Sequence, residues 1–101
     1  MESEIFELRR GSELLGTVEV QDDLCDFPWY GGQFKATAAF GAVESLFRSE
    51  LRLLGADDMD AWDEVWRQID APGLRLLPID GGAEICDLII HIEGEVARWR
   101  Y

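Results

Sequence analysis

From Glu4 to Arg10 the chain alternates, with Phe6 and Leu8 on one face and Ile5, Glu7 and Arg9 on the other. A period of two predicts a strand. Gly11-Ser12 suits a two-residue hairpin turn, and residues 13–20 resume the alternation with Leu14, Val18 and Val20 on one face. The first unit is therefore expected to be a β-hairpin. Residues 21–36 break the pattern, because Asp22, Asp23, Pro28, Gly31 and Gly32 are loop formers. This predicted loop nevertheless carries Phe27, Trp29, Tyr30 and Phe34.

Spacing then changes to three and four. Phe40, Val43, Phe47, Leu51 and Leu54 predict a helix over 37–54, with Thr37 as N-cap and Gly55 as its stop. Asp57 or Asp58 caps a second helix over 58–70, whose narrow apolar stripe is Met59, Trp62, Trp66 and Ile69. Pro72-Gly73 ends it. Residues 74–79 predict a strand, Gly81-Gly82 a turn, and 84–92 a further strand with Cys86, Leu88, Ile90 and Ile92 on one face and Asp87, Ile89 and His91 on the other. After Glu93-Gly94, residues 95–101 predict a last strand in which Trp99 and Tyr101 alternate with Arg98 and Arg100.

The expected order is ββ-αα-βββ. Short turns between neighbouring strands predict a mainly antiparallel sheet, with both helices packed on one face. No linker or repeat interrupts the chain, so residues 1–101 are read as a single α+β domain. One local rule is broken. On a helical wheel Glu50 falls inside the apolar arc of the first helix, near Val43 and Leu54, whereas Glu44, Arg48 and Arg52 lie outside it. A carboxylate facing a core must be paired, hydrogen-bonded or protonated. Arg75, Arg98 or Arg100 of the sheet is the expected partner, and a perturbed acid at a site is the functional reading.

Composition adds a strong charge bias. Asp and Glu number 21 against nine Lys and Arg, for a net charge of −12. Such a balance disfavours nucleic acid and anionic membranes and favours a basic partner. Met1-Glu2-Ser3-Glu4 lacks the basic and apolar regions of a signal peptide, which predicts a cytoplasmic protein. Cys25 and Cys86 are then expected to be free and mostly buried thiols.

Residue types for chemistry are sparse. His91 is the only histidine, and no elbow, Cys signature or phosphate-binding glycine loop accompanies it. It reads as an outward-facing strand residue. Asp57-Asp58-Met59-Asp60 lacks the spacing of a calcium loop, and two cysteines with one histidine cannot fill a zinc site. No catalytic residue, metal or cofactor is predicted.

Two surfaces remain as binding candidates. One is the loop with Asp22, Asp23, Asp26, Trp29 and Tyr30, which mixes acids with ring types enriched at hot spots. Within it, Phe27 and Trp29 are expected to plug one edge of the core, and Tyr30 to be exposed. The other is the acidic face of the second helix, Asp57, Asp60, Asp63 and Glu64, joined by Asp80, Glu84, Asp87, Glu93 and Glu95 from the sheet turns.

Asp26-Phe27-Pro28-Trp29, Gly32-x-Phe34, Glu50-Leu51-Arg52-Leu53-Leu54, Pro72-Gly73-Leu74-Arg75-Leu76 and Leu88-Ile89-Ile90-His91-Ile92 together resemble a group of short acidic bacterial proteins of unknown function with a loop of this type. The likeness runs from about Phe6 to Trp99. It implies a bacterial single-domain protein and carries over no functional residue. The leading expectation is a non-enzymatic domain that binds a basic protein, with an immunity-type inhibitor as its sharpest form. A small enzyme or ligand-binding domain using a perturbed carboxylate, such as Glu50 or an acid in the 22–26 loop, is the second reading. A homodimer or larger homo-oligomer, joined through the aromatic loop or the last strand as a sheet edge, is the third.

Overall fold

The alternating segments form β1 (Ile5–Arg10) and β2 (Glu13–Val20), paired antiparallel. Their turn is made by Gly11, whose φ of +62° is a left-handed conformation that glycine adopts without steric cost. Pairing runs Leu8↔Gly16 and then Arg9↔Leu14, so Leu15 is an extra residue in the ladder. This bulge reverses the phase of β2. Leu15, not the expected Leu14, is the buried residue, while Val18 keeps its inward place. The computed structural model describes residues 4–101. Met1–Ser3, on which the reading of the N-terminus rests, lie outside the described residues.

The segment predicted to be all loop contains a strand, β3 (Tyr30–Ala36), which pairs with β2. Gly31 and Gly32 belong to this strand, where they permit close packing. A Cβ on Gly32 would lie 2.8 Å from the Glu19 carbonyl carbon, and one on Gly31 would lie 2.7 Å from that of Leu24. A short 3-10 turn, Ala38–Ala42, follows, and the first helix, α1 (Glu44–Gly55), starts seven residues later than expected at 37. Thr37 does not cap it: its hydroxyl donates to the carbonyls of Leu14 (2.6 Å) and Leu15 (3.1 Å), tying the chain to the bulge.

Asp57 takes a left-handed φ of 57° between the helices. Asp58 then caps α2 (Met59–Asp70) by accepting the Ala61 N–H at 3.3 Å. At the other end of α2, Arg10 of β1 donates to the otherwise unpaired carbonyls of Gln68 (2.8 Å) and Ile69 (3.0 Å). The chain continues into β4 (Leu74–Pro78), β5 (Ile89–Glu93) and β6 (Val96–Arg100). The strand expected over 84–92 is therefore shorter, and its first residues form only a bridge.

All pairings are antiparallel, and the six strands lie in the order β4-β1-β2-β3-β6-β5. The chain order is thus βββ-αα-βββ, one strand more than the pattern predicts, in a single α+β domain. The last strand is not an edge: β6 lies between β3 and β5, and its Trp99 is buried. The sheet curls, and Ile85 bridges to Leu76 of the edge strand β4 through two backbone bonds of 2.9 and 2.8 Å. Phe6, Leu8, Val18, Phe34, Leu76, Ile90 and Trp99 fill the interior, and Phe47 of α1 and Ile69 of α2 pack among them. No described helix is long and apolar enough to cross a membrane.

Gly32→Ala is expected to lower stability by about 1–3 kcal/mol, because the new methyl group meets β2 backbone that cannot rotate away. Equilibrium urea unfolding, with an unchanged slope, measures it.

Candidate functional site

The buried stripe of α1 includes one charged residue. Glu50 has 0% exposure. Its Oε1 accepts the indole N–H of Trp62, on α2, at 3.0 Å. Nδ1 of His91, on β5, lies against the same oxygen, an ion pair when the imidazole is protonated. The partner is thus His91 and Trp62, not one of the expected arginines. Those lie elsewhere: Arg75 donates to the Gly11 carbonyl at 2.9 Å, and Arg100 stands over the Trp29 ring. Nδ1 is not aligned for a hydrogen bond, and Oε2 has no hydrogen-bond partner among the described residues.

His91 is accordingly not a bland outward residue. It joins the helical layer to the edge strand and carries a second aromatic layer. The Trp29 ring lies 5.2 Å from the imidazole at 31°, and the Arg100 guanidinium sits 5.5 Å from the Trp29 centroid. A cation over an indole face is attracted by the ring quadrupole. Arg98 pairs directly with His91 across the strands. Both residues line a hollow of about 350 Å³ with Cys25, Asp23, Asp26 and Trp29.

Trp29 is also one leg of a tight turn. Asp26 and Trp29 exchange backbone bonds of 2.9 and 2.7 Å, with a cis Phe27–Pro28 peptide between them. At the tip, Phe27 is 96% exposed. The expectation that Phe27 plugs the core is therefore wrong. Trp29 is half-buried against His91, outside the main core cluster. Asp22, Asp23 and Asp26 are exposed around the turn, the first two in a short 3-10 segment. Tyr30 is 44% exposed and stacks on Tyr101 at 5.6 Å and 15°.

Asp57, Asp60, Asp63 and Glu64 are exposed on or just before α2, in the helical layer. The sheet-turn acids do not join them as one group. The antiparallel order gathers residues 21–29 and 79–88 at one end of the sheet, which places Asp80, Glu84 and Asp87 at the end of the Phe27 turn. Glu93 and Glu95 lie at the opposite end. Sequence reading therefore found the acids and the aromatic loop but missed His91 and Trp62. The spacing of Trp62 within the apolar stripe was the only signal for either.

At the 79–88 end the local field is negative. Cys86 is exposed, against expectation, and donates to Glu84 Oε1 at 3.3 Å. That hydrogen bond, then slight burial and the charges of Glu84 and Asp87, push its thiol pKa up from the ordinary value. The hydrogen bond with Tyr30 raises the Tyr101 phenol, helped by burial and by the charges of Tyr30 and Glu4. Cys25 is half-buried, with its sulfur against the Gln21 carbonyl and the Gly31 amide.

Glu50→Ala is expected to cost about 3–5 kcal/mol in equilibrium unfolding, since it strands buried polar partners, and Glu50→Gln less, because its amide oxygen still accepts from Trp62. A thiol with a raised pKa holds less thiolate at a given pH. Near pH 8.5, Cys86 should therefore react with iodoacetamide more slowly than an unstructured cysteine, and Glu84→Gln should speed it. Mass-spectrometric rates for the Cys86 peptide measure both effects. In comparisons with family models, curated proteins and solved structures, nothing matches this chain.

Proposed function

We propose that this chain is a non-enzymatic, acidic protein-binding domain that meets a basic protein through the Asp26–Trp29 turn, with an immunity-type inhibitor as the sharpest form of that role. The observation that carries this reading is Phe27, 96% exposed at the tip of a turn closed by two backbone hydrogen bonds. An aromatic side chain held in water on an ordered turn gains nothing for the fold. It is positioned to enter an apolar socket on another surface, as buried ring anchors do at interface centres. Asp22, Asp23 and Asp26 outnumber Arg98 and Arg100 about the turn, and the whole chain carries −12, so a cationic surface is attracted and steered.

A catalytic role for Glu50 has less support. The residue has no exposed surface, and indole and imidazole groups occupy the approaches to its Oε1. Pairing between copies through the last strand also loses its basis, because β6 is paired on both sides. The reading includes a cytoplasmic setting, supported by two free thiols.

A photo-crosslinking phenylalanine analogue at position 27 should capture a basic protein from cells of the source organism at low salt, and raised salt should weaken the capture. Phe27→Ala should weaken the complex by about 2 kcal/mol or more. It should leave unfolding within about 0.5 kcal/mol of the parent. If no basic protein is captured at low salt, or if Phe27→Ala binds as the parent does, the proposal fails.

A further inference from the structure

The sheet end that carries the Phe27 turn also holds the largest hollow described in the fold, about 680 Å³, beside the 79–88 segment. Phe6, Ile85 and Tyr101 supply apolar and aromatic wall, and Glu4, Asp80, Glu84 and Asp87 supply carboxylates. Among the described residues, no Lys, Arg or His lines it. Only Glu84 has a cation close by among the described residues, Arg75 at 3.7 Å. We infer that this hollow receives an arginine- or lysine-bearing segment of the basic protein partner, an inference that rests on the binding reading above and adds a second contact to it.

Charge and shape both favour that occupant. A long cationic side chain can lay its methylene stem along apolar wall and leave its charged head among carboxylates. Tyr101 is 69% exposed and offers a ring face to such a head. The hydrogen bond to Glu84 and the charge of Asp87 hold the Cys86 thiol protonated to higher pH, as a negative field at the hollow requires. Glu4, Asp80 and Asp87 have no opposite charge within salt-bridge distance among the described residues, so their attraction is not spent within the fold.

The hollow and the turn are mechanically joined. Tyr30, which opens β3 directly after the turn, stacks on Tyr101 of the hollow wall. A partner that seats Phe27 in a socket therefore brings neighbouring cations over the hollow. Long-range attraction and a defined apolar contact then act on one face. The acids of α2 lie in the helical layer and line neither of the two hollows described above.

The test is an NMR titration of the isotopically labelled full chain with a capped peptide, alanine-arginine-alanine-arginine-alanine, and with the same peptide carrying citrulline for arginine. The arginine peptide should shift the amides of residues 80–87 and Tyr101, and added salt should weaken it. The citrulline peptide should leave them unmoved. Neither the Glu4 nor the Asp87 side chain makes a hydrogen bond among the described residues, so Glu4→Gln with Asp87→Asn should keep the fold and weaken binding roughly five-fold. Tyr101→Leu should weaken it as well. Equal binding by the charge variant, equal binding of the citrulline peptide, shifts centred on the α2 acids, or no shifts at millimolar peptide would each overturn the inference. The Phe27→Ala comparison does not depend on this titration, so a failed hollow leaves the turn reading standing, and a failed turn leaves the peptide result intact.

Discussion

A carboxylate with no access to water must be held by the protein, and here Glu50 is held from two directions. The indole N–H of Trp62 comes from α2, and the imidazole of His91 comes from the edge strand β5. Removing a carboxylate from solvent costs several kcal/mol before any partner is counted. The two helices and β5 are therefore not free to repack independently, since sliding any one of them takes a polar partner from the buried carboxyl. An apolar contact at this place would tolerate a shifted register, whereas a charged one penalises it. The Glu50 group thus fixes where the helical layer meets the curled sheet.

That constraint reaches the surface through one side chain. His91 meets Glu50 with one side of its ring and Trp29 with its face. Trp29 in turn closes the Asp26–Trp29 turn, and Arg100 stands over its ring. A turn bearing an exposed phenylalanine would ordinarily fold that ring back towards apolar neighbours. Here Trp29 takes the place beside His91, and Phe27 stands 96% exposed at the tip. The buried acid and the displayed ring are therefore two ends of one arrangement. The first sets the position of the edge strand, and the second uses that position.

The sequence made some of this legible and hid the rest for identifiable reasons. Glu50 was visible because helical periodicity places a residue on a face without reference to the remainder of the fold. His91 was not, because its role depends on which helix lies beside β5, and no local spacing records that. The phase of β2 failed at Leu14 because a bulge adds one residue to a period of two, and the bulge is set by pairing between Leu8 and Arg9. β3 was hidden by Gly31 and Gly32, which resemble a loop in composition yet are demanded by the carbonyls of Leu24 and Glu19. Acidity was plain, but its distribution was not: strand order, rather than sequence distance, brings Asp80 and Asp87 to the end that holds Asp22 and Asp26.

The same placement bears on why the acids are tolerated. A chain of net charge −12 repels itself, and the repulsion is greatest where carboxylates crowd at one end of a sheet. Salt screens such exposed charges over about 10 Å, which lessens the cost without removing it. Solubility alone would be served equally well by acids scattered over every face. The acids that do gather beside the aromatic wall and the exposed ring, Asp22, Asp23, Asp26, Asp80, Glu84 and Asp87, are a minority of the 21, and they repel one another. On the proposed binding reading, an arriving opposite charge would relieve that repulsion, and the relief would add to the attraction formed.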